Sequence, residues 1–327
     1  MTASKQLNRI LTGILRSLRY LPRMVRPGLR PYLFMLSGCV WFAWMGLLTH
    51  ALKDALDWQA VAVARSALAT LFASIVAIVY RVPLVFLRPR MLWIRSVAGS
   101  CSMVATFYAL THMPVSDVLT LTNTFPVWVA ILSWPLAAER PTLGVWIAVL
   151  CAVVGVAVAQ QPDTAGLTYA AWAALFASIC TAVAMLGLNR LKGVSAVAVV
   201  VHFSAVSTLF GLMAFFAFER PIGVDRLAET AVLIRMIGVG VTATIGQFFL
   251  TMAFRTGSAT KVSVVTLSQV VMVMVAEATL DGRSFGLAAI LGTTLVLGPT
   301  AWLMTRERRL AKPPEPDELP VEEVAIE

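Results

Sequence analysis

The 327-residue sequence predicts an all-α polytopic membrane protein: ten transmembrane helices arranged as two inverted five-helix repeats. Three observations carry that expectation. Apolar residues make up 59% of the chain and charged residues 13%, where a soluble domain carries roughly 25% charged. Apolar runs of about twenty residues, the length an α-helix needs to cross hydrocarbon, recur along the chain. Lys and Arg alternate from one connection to the next, dense on one side and sparse on the other.

Residues 1–31 open the chain as a cytoplasmic basic segment. Lys5, Arg9, Arg16, Arg19, Arg23, Arg26 and Arg30 have no acid among them, and Leu7, Ile10, Leu11, Ile14, Leu15 and Leu18 recur at helical spacing. This pattern predicts a helix lying on the membrane surface, with no cleavable signal. A transit peptide has similar chemistry and remains the alternative. The first repeat, 32–160, holds spans at 32–51, 58–80, 92–112, 115–136 and 142–160. The second, 161–304, holds spans at 166–188, 195–217, 231–254, 258–279 and 284–304. Residues 305–327 are expected to be a disordered cytoplasmic tail, rich in Pro (Pro313, Pro314, Pro316) and in acids.

The N-terminus, the even-numbered connections and the C-terminus hold 20 of the 26 Lys and Arg. That bias places both termini in the cytoplasm, with the chain integral to the cell membrane. Lys53, Arg220, Arg226, Arg235 and Arg283 fall on the other side, and Arg65 is left inside a span. The net charge of +9 is distributed at span ends, which fits membrane topology and excludes a nucleic-acid partner. Cys39, Cys101, Cys151 and Cys180 all lie in apolar runs and read as small hydrophobes, with no disulfide or metal motif. No cofactor is expected.

Each half has five spans, an odd number, so repeated halves must be inverted. Residues 109–156 and 253–299 share a pattern: Ala, a polar turn, a Ser/Thr-bearing helix, a charged turn, and a helix with a late glycine, Gly155 or Gly298. Inverted repeats of this kind recur in secondary transporters, with the substrate near the midplane. These segments resemble the drug/metabolite transporter superfamily, in its EamA-like family. The resemblance rests on Tyr108-Ala109-Leu110, Pro114, Pro126, Glu139-Arg140 and Gly155, and on Arg65, where that family often has a basic residue. The second half departs from it: Gln269 or Val270 stands where Pro126 does, and Gly282 where the family often has Glu. The resemblance implies a ten-helix transporter with both termini inside, and no particular substrate.

An ionisable group in hydrocarbon costs several kcal/mol, so each such residue is a candidate. Arg65 would meet a substrate carboxylate or gate the outer mouth, with Asp117 as counter-ion; the competing reading is a structural Arg–Asp pair. Glu277 could carry a coupling proton or sit at the interface, and His202 could carry a proton or simply bond between helices. Thr120, Thr122, Asn123 and Thr124 precede Pro126, which predicts a broken helix whose freed backbone and Asn123 and Thr124 side chains contact substrate. Ser263, Thr266, Ser268 and Gln269 are the ninth-span counterpart, and Gln247 joins them. Trp44 and Trp41 in the first span, and Tyr108 and Phe107 in the third, could line the cavity or face lipid. Trp58, Trp93, Trp134 and Trp302 read as interfacial anchors.

No nucleophile–base pair, phosphate loop, metal spacing or nucleotide-binding domain appears, so no enzyme activity is expected. The sequence supports a secondary transporter of small organic metabolites, amino-acid or carboxylate-like, working by alternating access around a cavity lined by spans one, three, four, eight and nine. Glu139-Arg140 and Gly155 would be packing and gating elements. A homodimer is compatible with this reading. The alternatives are a small-multidrug-like exporter of cationic compounds and an integral membrane scaffold or lipid-modifying enzyme.

Overall fold

A computed structural model describes residues 27–52, 55–113, 115–137, 139–161, 168–217, 226, 229–280 and 286–310. After a short 3-10 turn at Pro27–Leu29 come α1 (Arg30–His50), α2 (Trp58–Val79), α3 (Arg90–His112), α4 (Val115–Thr122), α5 (Phe125–Ala137) and α6 (Leu143–Gln160). The second half holds α7 (Tyr169–Asn189), α8 (Ala196–Ala217), α9 (Thr230–Thr256), α10 (Ala259–Thr266), α11 (Ser268–Leu280) and α12 (Leu287–Leu310). Pairs α4/α5 and α10/α11 each make one broken pass, so the twelve helices cross ten times and no strand occurs among the described residues. Nine of those passes are long and apolar enough to span a bilayer. The tenth, α3, falls short because it carries Arg90, Arg95, Ser96, Ser100 and Ser102.

Every expected span end lies within three residues of the observed one except the last, where α12 runs on to Leu310 instead of stopping at 304. Its final turn is held to the preceding one. Thr305 donates to the Trp302 carbonyl at 2.9 Å, and the Arg306 guanidinium lies 5.4 Å from the Trp302 ring centre. Residues 305–310 are therefore helix, against the expected tail. The expected surface helix before Pro27 and the tail beyond Leu310 lie outside the described residues.

The break in the fourth pass falls at Asn123–Thr124, as Pro126 predicts. Proline has no N–H to bond back to Thr122, and it sits in the first turn of α5, where a missing donor costs least. Local side chains close the gap. Thr124 Oγ donates to the Leu121 carbonyl at 2.6 Å and lies 2.9 Å from Ser178 Oγ of α7. The ninth pass breaks at Leu267 with no proline at all. There the buried Cys39 thiol of α1 points at the freed carbonyls of Val265 and Thr266, at 3.8 and 3.5 Å. Cys39 is thus a donor at a helix break, beyond the inert hydrophobe the sequence suggested.

Four helix pairs pack most extensively: α1 with α9, α3 with α7, α6 with α12, and α2 with α8; next come α3 with α8 and α2 with α9. Small residues permit the closest approaches. A Cβ on Gly292 would lie 2.5 Å from the Gly155 carbonyl oxygen, and one on Gly155 would lie 2.7 Å from Leu295 Cβ. Gly298, aligned with Gly155 by sequence, meets nothing within 4 Å, so the glycine that faces Gly155 is Gly292. Between α2 and α8 the contact is polar. Thr70 Oγ and Thr208 Oγ lie 3.3 Å apart, each also donating four residues back, to the Ser66 and Ser204 carbonyls. The two helices carry matching segments there, Ser66-Ala-Leu-Ala-Thr-Leu-Phe72 and Ser204-Ala-Val-Ser-Thr-Leu-Phe210.

Overpacking of this crossing should be visible in stability. Gly292→Val is expected to lower unfolding stability by about 1–3 kcal/mol, and Gly298→Val by less than about 0.5, in thermal unfolding of detergent-purified protein.

Candidate functional site

Polar groups inside the bundle gather where α2, α3, α8 and α9 meet. A small cavity of about 10 Å³ lies there, room for about one water in this conformation, and Arg65, Ser66, Met103, Phe203, Ser204, Ser207 and Gln247 line it. Arg65 reaches it from the first third of α2, and Gln247 from the last half of α9. No hydrogen bond or ion pair ties Arg65 to any described residue. Asp117 is 7% exposed at the start of α4 and does not pair with it, so the expected counter-ion contact is absent.

A second arginine stands beside the pocket. Arg95, in the second turn of α3, is 1% exposed, although charge counting assigned it to the cytoplasmic connection. Its Nη2 donates to Gln247 Oε1 at 3.3 Å, and its guanidinium carbon lies 3.7 Å from the centre of the Phe203 ring. Its Nε and Nη1 have no partner. Two glycines make the room. A Cβ on Gly99 would sit 2.9 Å from Arg95 Nη1 and 2.8 Å from Phe203 Cε2, and one on Gly187 would sit 3.0 Å from Arg95 Cβ. Any larger residue at Gly99 would fill the slot that holds the cation.

The wall continues as hydrogen-bonded pairs between α3 and its neighbours. Ser96 Oγ lies 2.8 Å from His202 Nδ1, Ser100 Oγ 2.9 Å from Ser207 Oγ, and Ser102 Oγ 2.6 Å from Thr181 Oγ. His202 is 2% exposed, with its ring centre 4.7 Å from that of Trp93 in a perpendicular contact and Nε2 without a partner among the described residues. That is the helix-bridging histidine, placed next to Arg95 on the same face. Trp93, read from the sequence as an interfacial anchor, packs against this buried histidine.

The remaining candidates fall elsewhere. Asn123 and Thr124 sit at the break in the fourth pass, with Asn123 Nδ2 donating to the Leu119 carbonyl at 2.8 Å, and neither lines the Arg65 pocket. Gln269 is half-buried just past the second break and does not line it either. Tyr108 stacks against His112 with ring centres 4.3 Å apart, toward the far end of α3. Trp44 is 47% exposed, turned away from the buried face of α1 that includes Met35, Cys39 and Phe42. It does not line the Arg65 pocket. The Glu277 side chain lies outside the described residues. Spans two, three, seven and eight line this pocket, in place of the expected one, three, four, eight and nine.

At the bundle end where α9 finishes, polar ties hold the helix termini. Ser258 donates to Glu139 Oε2 at 2.8 Å, joining the two halves. Asn189 donates to the Phe254 and Gly257 carbonyls, and Arg255 to those of Leu191 and Lys192. Trp58 stacks on Phe107 at 5.8 Å near the opposite end, a packing contact more than an interfacial anchor.

Arg95 left two signals in the sequence. It falls three residues inside the span drawn from 92, and Ser96, Gly99 and Ser100 follow it, a polar and small run inside a membrane helix.

Three comparisons bear on this architecture. Residues 29–160 match the EamA-like transporter family. Two curated relatives, each named "Pseudopaline exporter CntI" and from two strains of Pseudomonas aeruginosa, are 30% identical over 178 residues, covering 53% of this chain and 60% of theirs. The aligned part thus spans well under two thirds of those relatives. A solved crystal structure superposes with a TM-score of 0.71 at 15% identity, covering 84% of this chain and 98% of that one, which speaks for the fold alone. With an all-helical bundle of apolar passes among the described residues, the chain is an integral membrane protein. The EamA-like match lies in the first half of the chain, and that half is what is similar to the transporter family.

Proposed function

We propose that the protein is a secondary transporter of small organic metabolites of amino-acid or carboxylate type, working by alternating access across the cytoplasmic membrane. The observation that carries this reading is Arg65: a cation within a membrane helix, unpaired among the described residues, lining an internal pocket beside Gln247. A guanidinium in such a place attracts an anionic group and offers it a planar fork of donors. Gln247 supplies both a donor and an acceptor for an orienting contact. The relatives' name favours export as the direction.

Two inverted five-helix halves rocking against each other would move the pocket's opening from one side to the other. The packing supports that arrangement. Exchanging first-half with second-half passes turns the α1–α9 pair into α7–α3, and leaves α2–α8 and α6–α12 paired with themselves. Thr70 and Thr208 occupy like places in matching segments and touch each other, as residues on a two-fold axis would. Cys39 and Ser178, each nine residues past the start of its helix, both contact the broken pass of the opposite half. The tie from Ser258 to Glu139 would close the cytoplasmic end and break on opening.

A cation exporter of the small-multidrug type wants a membrane carboxylate facing its cargo. Among the described residues no acid lines the pocket, and the cations that reach it or flank it are the arginines Arg65 and Arg95, so nothing here favours that reading.

Counterflow of labelled amino and carboxylic acids in proteoliposomes tests the proposal: wild-type protein is expected to exchange at least one of them. Arg65→Ala should abolish that exchange with folding and abundance unchanged. Silence of the wild type across a broad panel would remove the transport reading. Orientation is tested separately. Cysteine at Asp57 is expected to react with an impermeant maleimide on intact cells, and cysteine at Arg81 only after permeabilisation.

A further inference from the structure

We propose that Arg95 is a second anion-binding group of the same site, and that the cargo therefore carries two anionic groups, one for each arginine. This rests on the carboxylate reading of Arg65 and narrows it to dicarboxylates.

Arg95 is enclosed by α3, α7, α8 and α9, with no carboxylate among the described residues in contact. A buried charge without a partner is strongly unfavourable, and a chain that needed only bulk at this position could hold Met or Leu at lower cost. Here the slot is built for the guanidinium, with Gly99 and Gly187 opening space and the Phe203 face supplying a cation–π contact. Those contacts leave two donors, Nε and Nη1, unmet. The one hydrogen bond to a neutral acceptor, Gln247 Oε1, is long at 3.3 Å. A carboxylate would replace it with a shorter, charge-assisted and bidentate pair.

Gln247 and Phe203 stand between the two cations. Both line the Arg65 pocket, and both touch Arg95. Rotation of the Gln247 amide away from Arg95 would put the guanidinium in reach of a ligand already held by Arg65. One negative group would leave one of the two cations unmatched in a low-dielectric interior. Two would match both, with Ser204 and Ser207 left to bond the ligand's other polar atoms.

Thermal stabilisation of the purified full-length protein in nanodiscs reads the proposal, because a ligand bound only to the folded state raises its melting temperature. The probes are succinate, glutarate and adipate, set against propionate, butyrate, adipamide, chloride and sulfate. Wild-type protein is expected to bind at least one dicarboxylate about tenfold to a hundredfold more tightly than any monocarboxylate, the share one charge-assisted contact would supply. Arg95→Met should erase that preference while leaving monocarboxylate binding intact, and should raise the melting temperature of the unliganded protein. Arg95→Lys should keep part of the preference.

Equal binding of mono- and dicarboxylates by the wild type would overturn the two-cation site while leaving Arg65 as a carboxylate site. So would stabilisation by chloride or sulfate as strong as by any dicarboxylate. A lowered melting temperature in Arg95→Met, with the preference retained, would make Arg95 a structural residue. No stabilisation by any carboxylate would remove the carboxylate reading itself, Arg65 included.

Discussion

Hydrocarbon offers no hydrogen-bond partner and little screening, so a polar group in this bundle is matched within the chain or marks a place where something else must match it. That single constraint accounts for the helices, for how they break, and for where charge is tolerated. Each unbroken pass satisfies its own backbone. Where the fourth and ninth passes break, the freed groups are met by Asn123 and Thr124 in one case and by the thiol of Cys39 in the other. A break without proline is stable because a neighbouring helix brings a donor to it.

The same constraint gathers the remaining polarity at one place. Serines on α3 bond to His202 and Ser207 of α8 and to Thr181 of α7, and Thr70 on α2 meets Thr208 on α8. This polar seam runs through helices whose outer faces are apolar, such as α8 with Leu209 and Phe216 exposed. Two arginines sit along the seam, one opening into the pocket and one enclosed in a slot between glycines. Small residues matter twice. At Gly155 and Gly292 they let backbones approach, and at Gly99 and Gly187 they make space for a cation.

Much of the fold was legible in the sequence, because hydropathy reports the lipid-facing environment residue by residue. The ten passes, the break before Pro126, the membrane placement of Arg65 and the polar role of Gln247 all follow from local residue chemistry. The errors share a cause as well. Arg95 was read as a surface charge since it lies within two turns of a helix end, where most arginines reach the interface. Whether it snorkels outward or turns inward depends on Gly99, Gly187 and Phe203, which belong to three different helices. Trp44 shows a different limit: an aromatic in a span has no sign of its own as to which face it occupies, and α1 turns it outward. The break at Leu267 carries no proline to announce it, and its donor, Cys39, lies 226 and 227 residues from the carbonyls it serves.

By itself, then, the sequence determined the environment: a membrane protein of about ten helices, their ends, and one cation that a lipid interior does not tolerate without purpose. These depend on free energies of transfer that each residue carries with it. Only the tertiary structure decided which side chains face one another. It took spans two, three, seven and eight for the pocket, placed Arg95 beside it, separated Asp117 from Arg65, and matched Gly155 with Gly292. Such pairings depend on helix rotation and on contacts between distant segments, and hydropathy along the chain contains neither.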